Sequence, residues 1–302
     1  MAARATVLLN RHAGTLARMT GDPVERVREA FAVAGLPAEV RHVDPSDLPA
    51  ALAALLQAPD EGPVVVGGGD GTINTAAAAL ASTGRVLGVL PLGTFNHFAK
   101  ELGLPLDLDD AVRTVAAGHV LDRDVADVNG RVFINFSAVG LYPEVIRHRE
   151  LQRARGRSKW LAMAIACARV LRRFPSFGVR LRVGDEAQVR RTGFVFLSNN
   201  HYVLESYGLR GLPLPESGRL LLVVTHHRSR AAFLWLALKA VLGRLRPGDV
   251  DTVDFTEATI ESRRRRLRVG LDGELALLPP PLTFRVRPGG LRVLAPSPGD
   301  HT

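Results

Sequence analysis

With 302 residues, 46% of them hydrophobic, the chain is long enough to bury more than one core, and that apolar content excludes a disordered or fibrous protein. The 39 Lys and Arg against 30 Asp and Glu leave a net charge of +9, which favours an anionic surface as partner, while 2 Trp, 3 Tyr and no stacking motif argue against nucleic acid. A single cysteine, Cys167, excludes an internal disulfide and a cysteine-built metal cluster.

Residues 1–124 alternate strand and helix. Ala5 to Leu9 reads as a strand, and Val24 to Ala34 as a helix with Val24, Val27, Phe31 and Ala34 on its apolar side and Gly35 closing it. A short strand near Val40, a helix from about Ser46 to Gln57 and the strand Val64-Val65-Val66 follow. That alternation predicts a parallel sheet flanked by helices. The third strand runs into Gly67-Gly68-Gly69-Asp70-Gly71-Thr72, and Thr72, Ile73 and Asn74 open an alanine-rich helix to about Ser82. Glycine, without Cβ, permits φ > 0 and lets an anion approach the main chain closely. The helix N-terminus adds free N–H groups and a dipole that favours negative charge, so the stretch reads as a phosphate site.

The string is not a Walker loop, since no Gly-Lys-Ser/Thr follows, nor a dinucleotide G-x-G-x-x-G. A glycine turn that merely joins strand to helix would explain the glycines alone. Asp70 needs more, because a carboxylate in a phosphate loop repels the ligand unless it holds a metal, takes a proton or bonds a ribose hydroxyl. A second strand, Arg85 to Leu90, enters Pro91-Leu92-Gly93-Thr94-Phe95-Asn96-His97-Phe98-Ala99-Lys100 and repeats the strand, Gly-Thr, helix order. Two such units place Gly71, Thr72, Gly93 and Thr94 along one edge of a parallel sheet, where α/β proteins bind ligands.

From about Asp124 the pattern changes. Val125 to Val128, Asn129-Gly130 and Val132 to Ser137 spell a β-hairpin, and further strands are expected at Val179 to Val183, Gly193 to Ser198, Leu220 to Thr225, Asp251 to Ile260 and Leu282 to Val286. Helices interrupt them near Lys159 to Phe174 and Arg230 to Arg244. The segment Asp272-Gly273-Glu274 follows the strand Leu267 to Leu271, and its glycine suggests a tight turn that presents carboxylates, either to a cleft or simply to solvent.

Together GGGDGT, PLGTFNHFAK and Asp272-Gly273-Glu274, in this order and spanning almost the whole chain, resemble the diacylglycerol kinase catalytic-domain family. That family includes bacterial lipid kinases and sphingosine kinases and is more distantly similar to NAD kinases. The resemblance implies an α/β N-terminal domain of the NAD kinase/diacylglycerol kinase type over residues 1–124, with helices on both faces of a parallel sheet. It further implies a β-rich, sandwich-like lipid-substrate domain over residues 125–302 and an active site in the cleft between them.

Residue by residue, it implies that Gly67, Gly68, Gly69, Asp70, Gly71 and Thr72 bind ATP phosphates, joined by Gly93, Thr94, Asn96 and by Asn10, where the family's Asn-Pro-x-Ser-Gly appears as Asn10-Arg11-His12-Ala13-Gly14. Asp272 is implied as the base that takes the lipid hydroxyl's proton, with Glu274 as rival or positioning partner and Asp70 as a third acidic residue of the site. Three departures stand out. His97 replaces the family's aspartate after Asn96, the threonine expected after the second strand is missing near Val40 to Val43, and the acidic metal segment is reduced to Pro213-Leu214-Pro215-Glu216-Ser217-Gly218. Glu216 alone makes a weak accessory metal site, so Mg²⁺ is expected mainly on ATP itself.

The expected function is an ATP- and Mg²⁺-dependent lipid kinase acting on diacylglycerol or a related lipid, such as a sphingoid base or monoacylglycerol. A kinase of a soluble substrate and a nucleotide-binding regulatory protein are the alternatives. Basic and apolar residues mix in Arg147 to Arg157, Arg169 to Arg173 and Arg228 to Arg246, the last with Phe233, Leu234, Trp235, Leu236 and Leu238. Such segments lie on anionic membranes, or bury with snorkelling arginines. With no leader or membrane span legible, a cytoplasmic protein is expected, peripheral at the inner membrane face; a homodimer is left open.

Overall fold

The computed structural model describes residues 4–58, 62–173, 177–183, 186–198, 200, 204, 217–225, 230–242, 244 and 246–297. The segment carrying Glu216 and the end of the tail lie outside the described residues. The chain divides into two units, residues 1–125 with 287–302, and residues 126–286.

The first unit is a parallel sheet. Its strands β1 (Ala5–Asn10), β2 (Ala38–Val43), β3 (Val64–Gly68) and β4 (Val86–Pro91) lie in the order β2-β1-β3-β4. Register is regular, with Leu9 opposite Gly67 and Gly68 opposite Pro91, so the glycine-bearing strand ends sit side by side. Between the strands run α1 (Pro23–Val33), α2 (Leu48–Gln57) and α3 (Asp70–Leu80), followed by α4 (His97–Glu101) and α5 (Leu108–Ala117). Helix α1 starts where the Asp22 carboxylate accepts from the Val24 N–H at 2.9 Å, with Pro23 at its first position, and it gives way at Gly35, whose φ of +77° suits glycine. Val27 and Phe31 of α1 and Val112 and Val115 of α5 share one core cluster with Ala5, Val7, Leu9 and Val65, the alternate residues of the central strands. Strand alternation turns Leu8, Val64 and Val66 to the opposite face, which explains why the run Val64-Val65-Val66 is apolar throughout.

The second unit holds two antiparallel layers. One is the sheet β12-β11-β10-β7-β14-β15, built from β7 (Phe136–Gly140), β10 (Phe194–Ser198), β11 (Leu220–Val224), β12 (Asp251–Phe255), β14 (Leu267–Leu271) and β15 (Glu274–Leu278). The other joins β8 (Phe177–Val183), β9 (Glu186–Thr192), β13 (Glu257–Glu261) and the start of β16 (Leu282–Leu294), with a hairpin made by the end of β5 (Val120–Val128) and β6 (Arg131–Phe133). Phe133, Val139, Leu197, Leu222, Phe255, Ile260, Val269 and Phe284 fill the space between the layers, giving a β-sandwich. On the other face of the first sheet, Phe136, Phe196, Leu221 and Val223 pack with Leu236 of helix α8 (Arg230–Val241), so β11 is apolar at every position. Helices α6 (Leu141–Arg153) and α7 (Lys159–Arg173) complete the unit.

Three expectations are corrected. The single strand anticipated over Asp251 to Ile260 is two strands that lie in different sheets, turning at Thr256. The strand anticipated over Val132 to Ser137 breaks at Ile134 and Asn135, whose backbone N–H groups bond a side chain instead of a neighbouring strand. The last strand runs on to Leu294, and its end belongs to the first unit, pairing in parallel with β4 through Arg292–Val86 and Val293–Leu87.

Candidate functional site

Strand β3 ends at Gly68 and α3 begins at Asp70, two residues earlier than the sequence suggests, so Asp70 and Gly71 lie in the first turn of the helix. Gly69 is the N-cap residue and supplies no side-chain cap, which leaves first-turn N–H groups for another acceptor.

The glycines are there for different reasons. A Cβ on Gly67 would meet Leu9 at 2.6 Å, one on Gly68 would meet Thr72 at 2.6 Å, and one on Gly93 would lie 2.3 Å from the Gly69 Cα. The two loops thus cross backbone against backbone at Gly69 and Gly93. Gly71 differs: it is exposed, its φ is ordinary, and a Cβ there would meet nothing within 4 Å. Packing within the chain gives no reason for glycine at 71. A phosphate seated on the uncapped helix end does, and in this respect the residues fit the phosphates of a nucleotide.

The polar residues of the motif hold the two loops together. The Asp70 carboxylate accepts from the Asn96 N–H at 3.0 Å and the His97 N–H at 2.7 Å, capping α4 from across the crossing. Its negative charge is thereby spent on a helix N-terminus, a fourth role beside metal, proton and ribose. Asn96 adopts the left-handed conformation at φ 52°, accepts from the Gly93 N–H at 3.0 Å and donates to the Gly93 carbonyl at 3.1 Å, so its amide shapes the turn. Asn10 donates to the Thr72 hydroxyl at 2.7 Å and accepts from the His12 N–H at 2.9 Å. Thr94 is exposed, and the His97 ring stacks on Phe95 at 5.6 Å.

In the second unit, Asp272 and Gly273 form the two-residue turn between β14 and β15, with φ of 50° and 94°, and Leu271 is paired with Glu274. The Asp272 carboxylate turns back to accept the Ile134, Asn135 and Phe136 N–H groups at 2.9, 2.8 and 2.9 Å. Beneath it lies a buried polar set that sequence reading missed. Asn200 donates to the Asn135 side chain at 2.9 Å, and the Ser198 hydroxyl donates to the Asn135 carbonyl at 2.6 Å. Lone asparagines and serines in apolar strands carry no spacing signal, so only the fold assembles them. Glu274 is exposed, and its side chain makes no hydrogen bond or ion pair among the described residues. Glu216 lies outside the described residues, among which no cluster of His, Cys, Asp and Glu is fit to hold a metal.

A parallel α/β unit with crossed glycine loops and an antiparallel sandwich unit define the NAD kinase and diacylglycerol kinase type of fold. A diacylglycerol kinase structure from Bacillus anthracis strain Sterne is similar, with 20% identity, a TM-score of 0.68, and coverage of 98% of this chain and 97% of that one. An NAD kinase from Archaeoglobus fulgidus in complex with ATP is a more distant fold neighbour, at 14% identity, a TM-score of 0.52, and coverage of 96% and 93%. The diacylglycerol kinase catalytic domain model matches residues 4–128 and the YegS C-terminal NAD kinase beta sandwich-like domain model matches residues 139–295, so the chain belongs to the family in which a diacylglycerol kinase catalytic domain is joined to a YegS C-terminal domain. Among its relatives, the probable lipid kinase YegS of Escherichia fergusonii is 48% identical over 82 residues, 26% of this chain and 27% of that protein. The diacylglycerol kinase of Staphylococcus carnosus is 39% identical over 84 residues, 27% of this chain and 28% of that protein. The chain thus matches about a quarter of the length of these curated relatives.

Proposed function

We propose that this chain transfers the γ-phosphoryl group of ATP to a hydroxyl of diacylglycerol or a related lipid. The carrying observation is Gly71, a glycine without a packing reason, beside an uncapped helix end. In this reading, amide groups at the start of α3 hold nucleotide phosphates, with Thr94 contacting the nucleotide and Asn10 fixing the Thr72 hydroxyl beside them. Asp70 and Asn96 serve by locking one glycine loop to the other. Mg²⁺ would arrive on the nucleotide and balance phosphate charge.

Asp272 is assigned as the proton acceptor for the lipid hydroxyl. Three backbone N–H groups fix its carboxylate, and its left-handed backbone is the kind of local cost that proteins retain where geometry matters. Glu274, exposed one residue beyond the turn, is assigned as the positioning partner of Asp272, or as its rival for the proton.

The test is transfer of labelled phosphate from Mg-ATP to diacylglycerol, monoacylglycerol, a sphingoid base and a polyprenol in mixed micelles, with NAD as the soluble comparison. Asp272→Asn should cut the rate by about 10²-fold or more, the usual worth of a positioned base, and Glu274→Gln should cut it less. Labelled NAD with unlabelled lipid would move the assignment to a soluble substrate. ATP binding without any product would move it to a regulatory protein.

A further inference from the structure

Helix α8 is apolar on two sides. Leu236 is buried and joins the cluster of Phe136, Phe196, Leu221, Val223 and Val250. Facing away from it, Leu234, Trp235 and Leu238 are 47%, 60% and 46% exposed, and Leu242, just beyond the helix, is 55% exposed. With the exposed Ala231 these fall at i, i+3, i+4, i+7 and i+11, a single stripe along the helix. Solvent-facing stripes on a monomeric protein are ordinarily polar, so this one marks a contact.

The charge around the stripe identifies its partner. No Asp or Glu occurs from Arg228 to Pro247, while Arg228, Arg230, Lys239, Arg244 and Arg246 do, and Arg244 and Arg246 are exposed. The nearest acid in the chain, Asp249, is engaged by Lys239 and by the Arg246 N–H at 2.8 Å. At 12 residues, α8 extends about 18 Å at 1.5 Å per residue, too short to cross a bilayer. A short helix with leucines and a tryptophan outward, arginines at its ends and no carboxylate matches an anionic phospholipid surface, with the helix lying in the interfacial plane.

We propose that the outer face of α8 docks the protein on an anionic bilayer. The proposal rests on the lipid-kinase reading for its purpose. It adds a structural link, because Phe136 packs in the same cluster as Leu236 and its N–H holds Asp272, so docking helix and acceptor carboxylate share one anchor.

The test uses the full chain and vesicles of phosphatidylcholine with and without phosphatidylglycerol, free of any kinase substrate. Binding is followed by co-sedimentation and by Trp235 fluorescence in a Trp160→Phe background. Binding should require phosphatidylglycerol and weaken with salt, Trp235 emission should shift to the blue, and the double variant Leu234→Glu, Leu238→Glu should bind about tenfold more weakly or worse. The variant should keep its melting temperature, because both positions face away from the core. Its rate on a dispersed short-chain diacylglycerol should also hold. Equal vesicle binding by wild type and variant, or bound protein with unshifted Trp235 emission, would overturn the proposal. So would a dimer that the double variant dissociates in a protein that ignores vesicles, since a second copy would then cover the stripe. Vesicle binding through α8 without any lipid phosphorylated would sink the kinase assignment and leave the docking face standing. Phosphorylation of the short-chain lipid without vesicle binding would do the reverse.

Discussion

A methyl group added to Gly93 would press into the Gly69 backbone at 2.3 Å, whereas one added to Gly71 would enter open space. The two substitutions should therefore separate folding from binding. Gly93→Ala should cost about 1–3 kcal/mol, the usual penalty of overpacking, and displace both loops. Gly71→Ala should leave stability unchanged or raise it by up to about 1 kcal/mol, since alanine is the better helix former, yet weaken ATP. Urea denaturation beside a nucleotide titration reads both quantities, and equal ATP affinity for Gly71→Ala would remove phosphate binding from this helix end.

Asp70→Asn should loosen the crossing, because the Asn96 and His97 N–H groups bond different carboxylate oxygens, and in an amide one of those oxygens is replaced by an NH2 donor. A loss of about 1–3 kcal/mol is expected, visible in the same denaturation curves. The glycines were legible in the sequence as a run at the end of an apolar strand, although the reasons for Gly67 and Gly93 lie in Leu9 and Gly69 on neighbouring segments. The duties of Asp70 and Asn96 were not, since their partners lie across a crossing that only the folded sheet creates.

At the level of elements, two hairpins use the same turn for different ends. Asn129-Gly130 and Asp272-Gly273 both pair a left-handed Asn or Asp with glycine, the preference of a tight two-residue turn, and both could be placed from sequence alone. What each side chain then does could not. Asn129 donates to the Pro281 carbonyl at 3.0 Å and accepts from the Thr283 N–H at 2.8 Å, while Asp272 reaches Ile134 to Phe136. Asn129→Ala should lose about 1–3 kcal/mol through unpaired polar groups and an unfavourable backbone, with the rate on lipid unaltered in the folded fraction. Thermal melts with a kinase assay would check it. The break at Thr256 was hidden for a related reason: Asp251 to Phe255 and Glu257 to Glu261 have similar β propensity, and Phe255 and Ala258 enter the same core from two different sheets, so residue type does not mark the change.

Over the whole molecule, the first unit is closed by the last strand of the chain. Leu291, Val293 and Leu294 are buried, Val293 pairs with Leu87, and the Ser82 N–H donates to the Gly290 carbonyl at 2.7 Å. Removing residues 287–302 should expose the far edge of β4, the strand that leads into Gly93, and abolish cooperative unfolding of the first unit. Limited proteolysis with circular dichroism would show it, and an intact, cooperatively melting first unit would refute it. The sequence placed the first boundary near residue 124 because the strand and helix alternation stops there. It gave no sign of the second, because Arg287 to Leu294 continues the same strand without any change in composition.

That closing strand also sets an order of events during synthesis. Residues 5–91 emerge from the ribosome first, yet the sheet they form lacks its outer strand until residues 287–294 have been made. The nascent first unit therefore waits, with an unpaired edge, through translation of the entire sandwich. A chain stalled anywhere between residues 126 and 286 would carry that open edge, and would be a target for chaperones or for association with its own kind.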